Sequence, residues 1–387
     1  MWAALLACAA ILFARKPDMF LNPQFWAEDG WFYWWGRLYG LNTLITPYAG
    51  YLHTVPRLVA KLATLVDPRC APAVFVWSAF AFTLYVAART QSARCPLPRH
   101  IACALAVVLV PDAFEILLNL VNLQWVLAGG LLLLLISADA SSARQHAHDT
   151  TAAVLFGLTG PFSIMLAPLF VWRAWIRRTA PSVILAAIVL ACGAVQLIEV
   201  LRDTTVNPTG TFAPDAVLAV PGMRITASLL AGAFVPANYP RLIENILGLA
   251  ALGVVAVLAF RGASLRTERR WLGAAFVLLL VGSLYRVRFA LPDLCHTGFG
   301  SRYFFPLQLI VLWLVLAATI AARRWVTRVA WLVALWALAI NLPRLREHPL
   351  TELHWADYAA KIRAGEAVDA PINPGPPWII PFPAAKK

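Results

Sequence analysis

Two adjacent carboxylates, Glu28 and Asp29, lie among aromatic residues near the start of the chain, with Phe25 and Trp26 before them and the aromatic run 31–35 after them. Burial among aromatic rings and repulsion between neighbouring carboxylates both raise the pKa of such groups, which suits a general base. An Asp-Gly turn, with Glu28 as a solvated charge at the start of a helix, explains the same residues without chemistry. Asp29 is our first choice for the base, because its side chain is short and the following glycine permits a tight backbone. Glu28 is the alternative.

Basic residues suited to binding a phosphate lie in two segments. The first segment carries Tyr51, followed by His53, Arg57 and Lys61 at the four-residue spacing of one helix face. The second segment contains Arg286, Arg288, His296, Arg302 and Tyr303. The planar guanidinium of arginine can donate two parallel hydrogen bonds to phosphate. We expect Arg302 to be the main contact, because it directly precedes an apolar segment, although any of these arginines could instead only reach towards lipid headgroups.

A third polar group lies around the turn between two apolar segments and consists of Asp112, Glu115, Asn119, Asn122 and Gln124. Polar groups near membrane depth are often functional, so these residues and Tyr51 are candidates for contacting a sugar or an acceptor. Capping of a short helical hairpin is their alternative role. No cluster of His, Asp and Glu has metal-ligand spacing, so no cofactor is expected, and only Glu28 with Asp29 could hold a divalent cation.

The elements that must position these residues are membrane helices. The chain has 387 residues, of which 61% are hydrophobic and 13% charged, with a mean hydropathy of +0.71. Soluble domains are about 45–50% apolar and about 25% charged. This difference excludes a soluble enzyme, a nucleic-acid-binding domain, a disordered scaffold and a secreted disulfide module. We attribute the net charge of +13 to basic loops that contact anionic lipid, not to nucleic-acid binding.

A membrane helix needs about 20 residues, and the sequence predicts an all-α polytopic membrane protein with about eleven of them. The apolar segments lie at 1–14, 71–88, 101–118, 123–137, 150–160, 162–175, 181–199, 242–260, 271–285, 305–322 and 329–342. Arginines are concentrated in the short loops 89–100, 138–149, 173–180, 261–270 and 323–328. By the positive-inside rule these loops face the cytoplasm, so the N-terminus is expected inside and the C-terminus outside.

This topology divides the chain into a transmembrane domain, 1–342, and a short outside tail, 343–387. The outside loops of the transmembrane domain are 15–70, 200–241 and 286–304. The first loop is expected to contain two interfacial helices, one built on the aromatic run 31–35 and one from Leu52 to Leu65. The region 216–235 is apolar but interrupted by Pro221 and Gly222, which is compatible with either a half-span or a surface helix.

An acidic pair in the first outside loop, followed by interfacial helices and many short spans, resembles the GT-C class of membrane glycosyltransferases. This class includes protein O-mannosyltransferases, aminoarabinose transferases and bacterial O-antigen glycosyltransferases. The matching residues are Glu28-Asp29 with Phe32, Pro47-Tyr48-Ala49-Gly50-Tyr51-Leu52 with Pro56-Arg57, Gly300-Ser301-Arg302-Tyr303-Phe304-Phe305-Pro306, and the tail segment from Pro371 to Trp378. Many relatives have Asp-Glu where this chain has Glu-Asp, and Glu28 aligns with the first acid of that pair.

The resemblance implies inverting transfer of a sugar from a polyprenyl-phosphate donor to a glycan, lipid or polysaccharide acceptor at the periplasmic face of a bacterial inner membrane. One carboxylate would take the proton of the acceptor hydroxyl, and cations would hold the leaving phosphate. Membrane lipids are the remaining expected partners. The alternatives are a secondary transporter or lipid flippase, a membrane acyltransferase, and a non-catalytic assembly subunit. A transporter is disfavoured because the ionisable groups lie at the ends of the apolar segments.

Overall fold

The computed structural model describes residues 2–203, 211–232, 239–261, 264–295 and 300–384. This part of the chain is mostly helical. Its helices are α1 Trp2–Arg15, α2 Asp18–Leu21, α3 Glu28–Tyr39, α4 Thr54–Ala63, α5 Ala71–Arg89, α6 His100–Leu109, α7 Leu123–Ile136, α8 Ala143–Gly157, α9 Phe162–Arg177, α10 Ala180–Arg202, α11 Ala216–Pro221, α12 Ser228–Leu230, α13 Arg241–Phe260, α14 Arg266–Arg286, α15 Leu291–Leu294, α16 Phe305–Ala318, α17 Arg324–Asn341 and α18 Trp355–Ala364. Two antiparallel strands, β1 Val368–Pro371 and β2 Ile379–Phe382, form a hairpin after α18.

Five helical segments of the described residues are long and apolar enough to cross a membrane. They are Pro68–Arg89, Ala180–Arg202, Arg241–Phe260, Ser301–Ala318 and Arg324–Arg344. Shorter apolar helices lie at Trp2–Arg15, His100–Leu109, Leu123–Ile136 and Ala216–Leu230. The helical membrane character expected from the sequence is thus supported, while the number of about eleven spans stays a prediction.

Each of the predicted apolar segments contains a helix, but the segment 101–118 was predicted too long. Helix α6 ends at Leu109, since Pro111 cannot donate a helical hydrogen bond and disfavours a helical conformation at the residue before it. Beyond it, Asp112 and Leu118 have positive φ angles of 53° and 63°, a conformation that such residues rarely adopt. Residues 110–122 therefore form a non-helical loop, which we call the return loop, leading back into α7.

The return loop is held at the end of the most buried helix of the bundle. Every residue of α7 is buried, and so is nearly all of α16 beside it. A helix that is apolar on all sides belongs in the centre of a bundle, because it has no polar face to expose. Because neighbouring residues surround α7 on all sides, the end of the return loop that enters α7 is held in one position.

The arginine-rich loops meet at one end of the bundle, which we call the arginine end. Arg94 forms an ion pair with Asp149 there. Asp139 pairs with both Arg173, at 2.5 Å, and Arg177, at 3.0 Å. The loops that the sequence assigns to one side of the membrane therefore contact one another. Which side this end faces stays a prediction.

The first outside loop, the return loop and the C-terminal tail meet at the other end, which we call the site end. Arg15 at the end of α1 pairs with Glu347 of the tail at 3.2 Å. Arg302 pairs with Glu115 of the return loop at 3.4 Å. The two helices expected in the first outside loop are present here as α3 and α4. Their position relative to a membrane surface stays a prediction.

The region 216–230 is a buried helix lodged between other helices, so the surface-helix alternative is wrong. Gly222, in the π-helical turn between α11 and α12, lies against the backbone of Glu244 in α13 so closely that a Cβ would clash. Arg224 pairs with Asp112 of the return loop at 3.1 Å, with both side chains fully buried. Residues 233–235 of the predicted region lie outside the described residues.

The tail is folded and covers the start of α3, which adds a small β element to the expected all-α fold. The carbonyl of Asn373 accepts a hydrogen bond from the amide of Ala27 at 2.6 Å, and the Asn373 amide donates to the carbonyl of Phe25 at 3.2 Å. Ile372 and Ile380 pack against Gly30, where a Cβ would stand. The tail therefore helps to position Glu28 and Asp29.

Candidate functional site

Helix α3 begins at the acidic pair because the chain turns sharply just before it. Ala27 has φ 45° and ψ −122°, and the helix starts at Glu28. Both carboxylates lie in the first turn, where the helix dipole favours negative charge. The helix-start part of the alternative interpretation is thus correct, but Asp29 and Gly30 lie within the helix and not in a turn, and Glu28 is half-buried and not solvated.

Asp29 is buried against the return loop. Its Oδ1 accepts a hydrogen bond from the amide of Val121 at 2.7 Å, and its Oδ2 accepts one from the amide of Leu120 at 3.2 Å. Only 4% of the residue is exposed. Burial raises the pKa of Asp29 to about 8, although the two amide donors act in the opposite direction. Both oxygens are therefore occupied, and the side chain fastens α3 to the return loop.

Glu28 is half-buried and faces the other side of the helix start. Its Oε1 accepts a hydrogen bond from the hydroxyl of Tyr48 at 3.3 Å, the one donor to it among the described residues. The Tyr48 ring lies edge-on to Phe32 at a centroid distance of 5.6 Å. Burial and the charge of Glu28 both raise the pKa of Tyr48, so the hydroxyl keeps its proton and stays a donor. One oxygen of Glu28 is thus left for a further partner.

Arg302 reaches the same region from the turn before α16. Its Nη1 lies 3.4 Å from Oε2 of Glu115, and its guanidinium lies 5.4 Å from the ring centre of Tyr303. The side chain of Arg302 is 35% exposed, so it is both oriented and accessible. The structure therefore brings Arg302, Tyr303 and Glu115 together at the return loop, whose amides also bind Asp29 of the acidic pair.

The other two arginines of this segment have different surroundings. Arg286 is exposed and its Nη2 lies 3.4 Å from the carbonyl of Ala49, at the edge of the region around Tyr51. Arg288 lies between the rings of Tyr285 and Phe289, at 4.3 and 4.6 Å. His296 lies outside the described residues. Of the three, Arg286 is the one that contacts the first outside loop.

Arg57 is fully buried, and its guanidinium contacts two aromatic rings. Its guanidinium lies 4.2 Å from the ring centre of Phe32 and 4.5 Å from that of Trp35. Its Nη1 donates to Thr43 at 3.0 Å. Cation–π contacts of this kind are strong when the cation is desolvated. In this arrangement Arg57 positions α3 against α4, and its contact with a donor phosphate stays a prediction.

His53 is likewise buried, and it stacks on Tyr51 at a ring distance of 4.7 Å. Burial, reinforced by the charge of Arg57, lowers the pKa of His53 to about 3, so the imidazole is neutral. Burial raises the pKa of Tyr51 to about 12. Gln124 of α7 contacts His53 at 3.5 Å. A neutral imidazole cannot supply charge to a phosphate, but it can orient Tyr51 beside Arg286.

The polar residues of the return loop mainly hold the loop itself. The side-chain amide of Asn122 donates to the carbonyl of Glu115 at 2.8 Å, and Asn119 accepts from the amide of Asn122 at 3.1 Å. Asp112 is committed to Arg224. Asn119, Asn122 and Asp112 therefore hold the return loop through contacts other than the expected helix capping, because Asn122 makes no side-chain cap bond to α7 and Asp112 forms an ion pair, while the side chain of Glu115 turns towards Arg302.

Gln124 of the third polar group contacts His53. Tyr48 is a site residue that sequence reasoning did not select as a candidate. The signal for Tyr48 was present, because it belongs to the stretch 47–52 that carries the family resemblance. Among the described residues, no three His, Cys, Asp or Glu side chains are grouped as a metal site. A cation shared by Glu28 and Asp29 would have to displace the amide donors of Leu120 and Val121.

Comparison with known proteins found no matching family model, no similar curated protein and no similar solved structure. The chemistry of the site therefore has to be judged from its own residues. These are one accessible carboxylate with a tyrosine donor, one accessible arginine, and a second carboxyl group used to fix the loop beneath them.

Proposed function

We propose that the protein transfers a sugar from a polyprenyl-phosphate donor to a hydroxyl acceptor at the site end, with inversion at the anomeric carbon. The observation that carries this proposal is that the return loop holds both groups: its amides bind Asp29, the neighbour of the half-buried carboxylate Glu28, and its Glu115 pairs with the accessible Arg302. Such a transfer needs a base for the acceptor proton and a cation for the leaving phosphate. The two side chains are the required pair.

In the proposed reaction, the acceptor oxygen attacks the anomeric carbon while the bond between that carbon and the phosphate oxygen breaks. The hydroxyl proton passes to Glu28, and the bonding electrons leave with the phosphate. Arg302 stabilises the negative charge on that phosphate through charge-assisted hydrogen bonds. Tyr48 keeps Glu28 oriented by its hydrogen bond to Oε1.

The proposal assigns the base to Glu28, whereas the short side chain of Asp29 made it our first choice from the sequence. A general base must come within hydrogen-bond reach of the proton that it takes. Both oxygens of Asp29 already accept hydrogen bonds from the return loop, and the residue is almost fully buried. Asp29 is therefore given the role of a positioning residue that holds Glu28 in place.

The test compares two amide variants in nanodiscs that contain phosphatidylglycerol. Purified protein is given a panel of polyprenyl-phosphate hexoses and pentoses with a bacterial lipid extract as acceptor, and release of polyprenyl phosphate is followed by mass spectrometry. Glu28→Gln should lower turnover by about 10²–10⁴-fold, as is typical when a general base is lost. Asp29→Asn should keep most of the turnover, since the amide can still accept one backbone hydrogen bond.

Glu366→Gln is the matched control, because it removes an exposed carboxylate from the tail at the same end of the protein. If Asp29→Asn is inactive and Glu28→Gln is active, the roles of the two acids are exchanged. If both amide variants keep full turnover, the base-catalysed mechanism is wrong. In protein reconstituted in liposomes, movement of labelled polyprenyl phosphate from one leaflet to the other, without sugar release, would instead favour a flippase.

A further inference from the structure

A cavity of about 680 Å³ lies at the site end behind the return loop. Its walls are the end of α1, the tail segment 344–351, Trp26, and residues 112–114 of the return loop. The next residue of the loop, Glu115, turns away and pairs with Arg302. The cavity therefore shares a wall with the candidate site but is separate from it. We call it the basic cavity.

The basic cavity carries more positive than negative charge. Its cationic side chains are Arg15, Lys16, Arg344 and Arg346. Glu347 lies 3.2 Å from Arg15 and 3.4 Å from Lys16, and so balances one of these two charges. The second carboxylate in the wall, Asp112, is already paired with Arg224 behind it.

Arg344 and Arg346 supply the surplus. Both are exposed, and no carboxylate oxygen among the described residues lies within 4.0 Å of their nitrogens. Two guanidinium groups in one cavity form a good receptor for phosphate, because each can donate two hydrogen bonds to its oxygens. His348 lies beside them and adds a further donor.

An apolar groove of about 130 Å³ lies along α6, α16 and α17. Leu105 and Leu109 of α6 face Leu338 of α17 across it, and every residue that lines it is apolar. At one end of the groove, Pro111 is followed directly by Asp112 of the cavity wall. A ligand with an anionic head and an apolar chain could therefore place its head in the basic cavity and its chain in the groove.

We propose that the basic cavity and the groove together bind a phosphate-bearing lipid, with its phosphate on Arg344 and Arg346 and its chain between α6 and α17. Trp26 and Lys16 also line the cavity, with the Lys16 ammonium 5.6 Å from the Trp26 ring centre. This site is additional to the donor site at Arg302 and does not depend on sugar transfer.

The experiment measures binding of hexadecyl phosphate to the purified full chain in a neutral detergent by native mass spectrometry. Arg344→Gln with Arg346→Gln should weaken binding by about 10-fold or more, because the phosphate loses its charge-assisted hydrogen bonds to both guanidinium groups. The control pair is Arg323→Gln with Arg324→Gln, which removes two exposed arginines from the opposite end of α17. The control should bind as the unaltered protein does.

A second variant tests the groove. Ala334→Phe fills the groove from α17 and should weaken hexadecyl phosphate without changing binding of inorganic phosphate. Single Arg344→Gln and Arg346→Gln variants serve if the pair reduces folded yield, and each should show part of the loss. Equal losses in the 344/346 and 323/324 pairs would overturn the proposal, since they would indicate general attraction to the protein surface. Inorganic phosphate binding as tightly as hexadecyl phosphate would overturn the lipid assignment.

Discussion

The carboxylate of Asp29 lies 2.7 Å from the amide nitrogen of Val121, a residue 92 positions further along the chain. This contact joins the start of α3 to the loop that enters the central helix α7. Because Glu28 is the neighbour of Asp29, any movement of the return loop changes the position of Glu28 relative to Arg302. Asp29 is therefore important for geometry even if it takes no proton.

Stability should depend on pH through Asp29. Its pKa is raised to about 8 by burial, above the value of about 3.9 expected in an unfolded chain. The folded state then binds more protons between these values, so this group's contribution is complete below about pH 4 and is lost as the pH rises through 8. The melting temperature of the unaltered protein should fall across this range relative to that of Asp29→Asn, in which the titrating group is absent.

Thermal melting in detergent at several pH values between 4 and 9 measures this difference. Asp112 and His53 titrate in both proteins, so subtracting one curve from the other isolates Asp29. Parallel curves for the two proteins would show that Asp29 is ionised throughout and would contradict the assignment.

Substitution of Gly30 should loosen the tail. A Cβ at this position would stand 2.8 Å from Cδ1 of Ile372 and in direct overlap with Ile380. Overpacking of this kind is expected to destabilise Gly30→Ala by about 1–3 kcal/mol. Adding Ile380→Ala should recover part of that loss, because it removes the overlapping atoms. Chemical denaturation gives both values.

Gly253→Ala is the control for this substitution, since nothing lies within 4 Å of its added Cβ. It should be neutral or slightly stabilising, because alanine is favoured over glycine inside a helix. A Gly30→Ala variant as stable as Gly253→Ala would mean that the tail does not pack on α3.

Arg302→Ala should weaken donor binding by about 10- to 100-fold, the loss expected for one or two charge-assisted hydrogen bonds. Arg302→Lys should recover only part of it, since lysine keeps the charge but not the paired N–H groups. Binding of a polyprenyl-phosphate sugar is measured directly by native mass spectrometry. The control is Arg363→Ala, which removes a tail arginine that pairs with Asp67 of the first outside loop. This variant should bind the donor normally. Unchanged affinity in Arg302→Ala would reduce that residue to a lipid anchor.

The predicted orientation can be tested with single cysteines. Arg266→Cys at the arginine end and Glu366→Cys in the tail are made in a Cys70→Ser background, because Cys70 is exposed at the site end. In intact cells an impermeant thiol reagent should label position 366 and reach position 266 only after permeabilisation. The reverse pattern would place the site end in the cytoplasm and exclude a periplasmic reaction.

Much of the helical framework could be predicted from the sequence because it depends on local properties. Apolar length and arginine position predict α5, α10, α13 and their grouped ends without knowledge of distant contacts. The acidic pair, Arg302 and Glu115 were also predicted as candidates, since charged residues near apolar segments are few.

The remaining features depend on contacts between distant parts of the chain. No local pattern indicates that Asp29 would bind the amides of residues 120 and 121, or that Arg57 would be enclosed by Phe32 and Trp35. Segment 101–118 was misjudged because hydropathy alone does not register the effect of Pro111 on the helix before it. The hairpin of the tail was missed for a different reason: its strands are short, and they pack on a helix that is far away in sequence.

The pairing of Asn373 with Phe25 and Ala27 sets an order of events during synthesis of the protein. The start of α3 leaves the ribosome roughly 350 residues before the segment that clamps it, an interval of about 20–70 s at typical elongation rates. During that time the acidic pair would lack the hydrogen bonds that Asn373 makes with the residues just before it. The nascent chain would therefore complete the packing around the start of α3 only when the hairpin arrives, after all the helices between them have been synthesised.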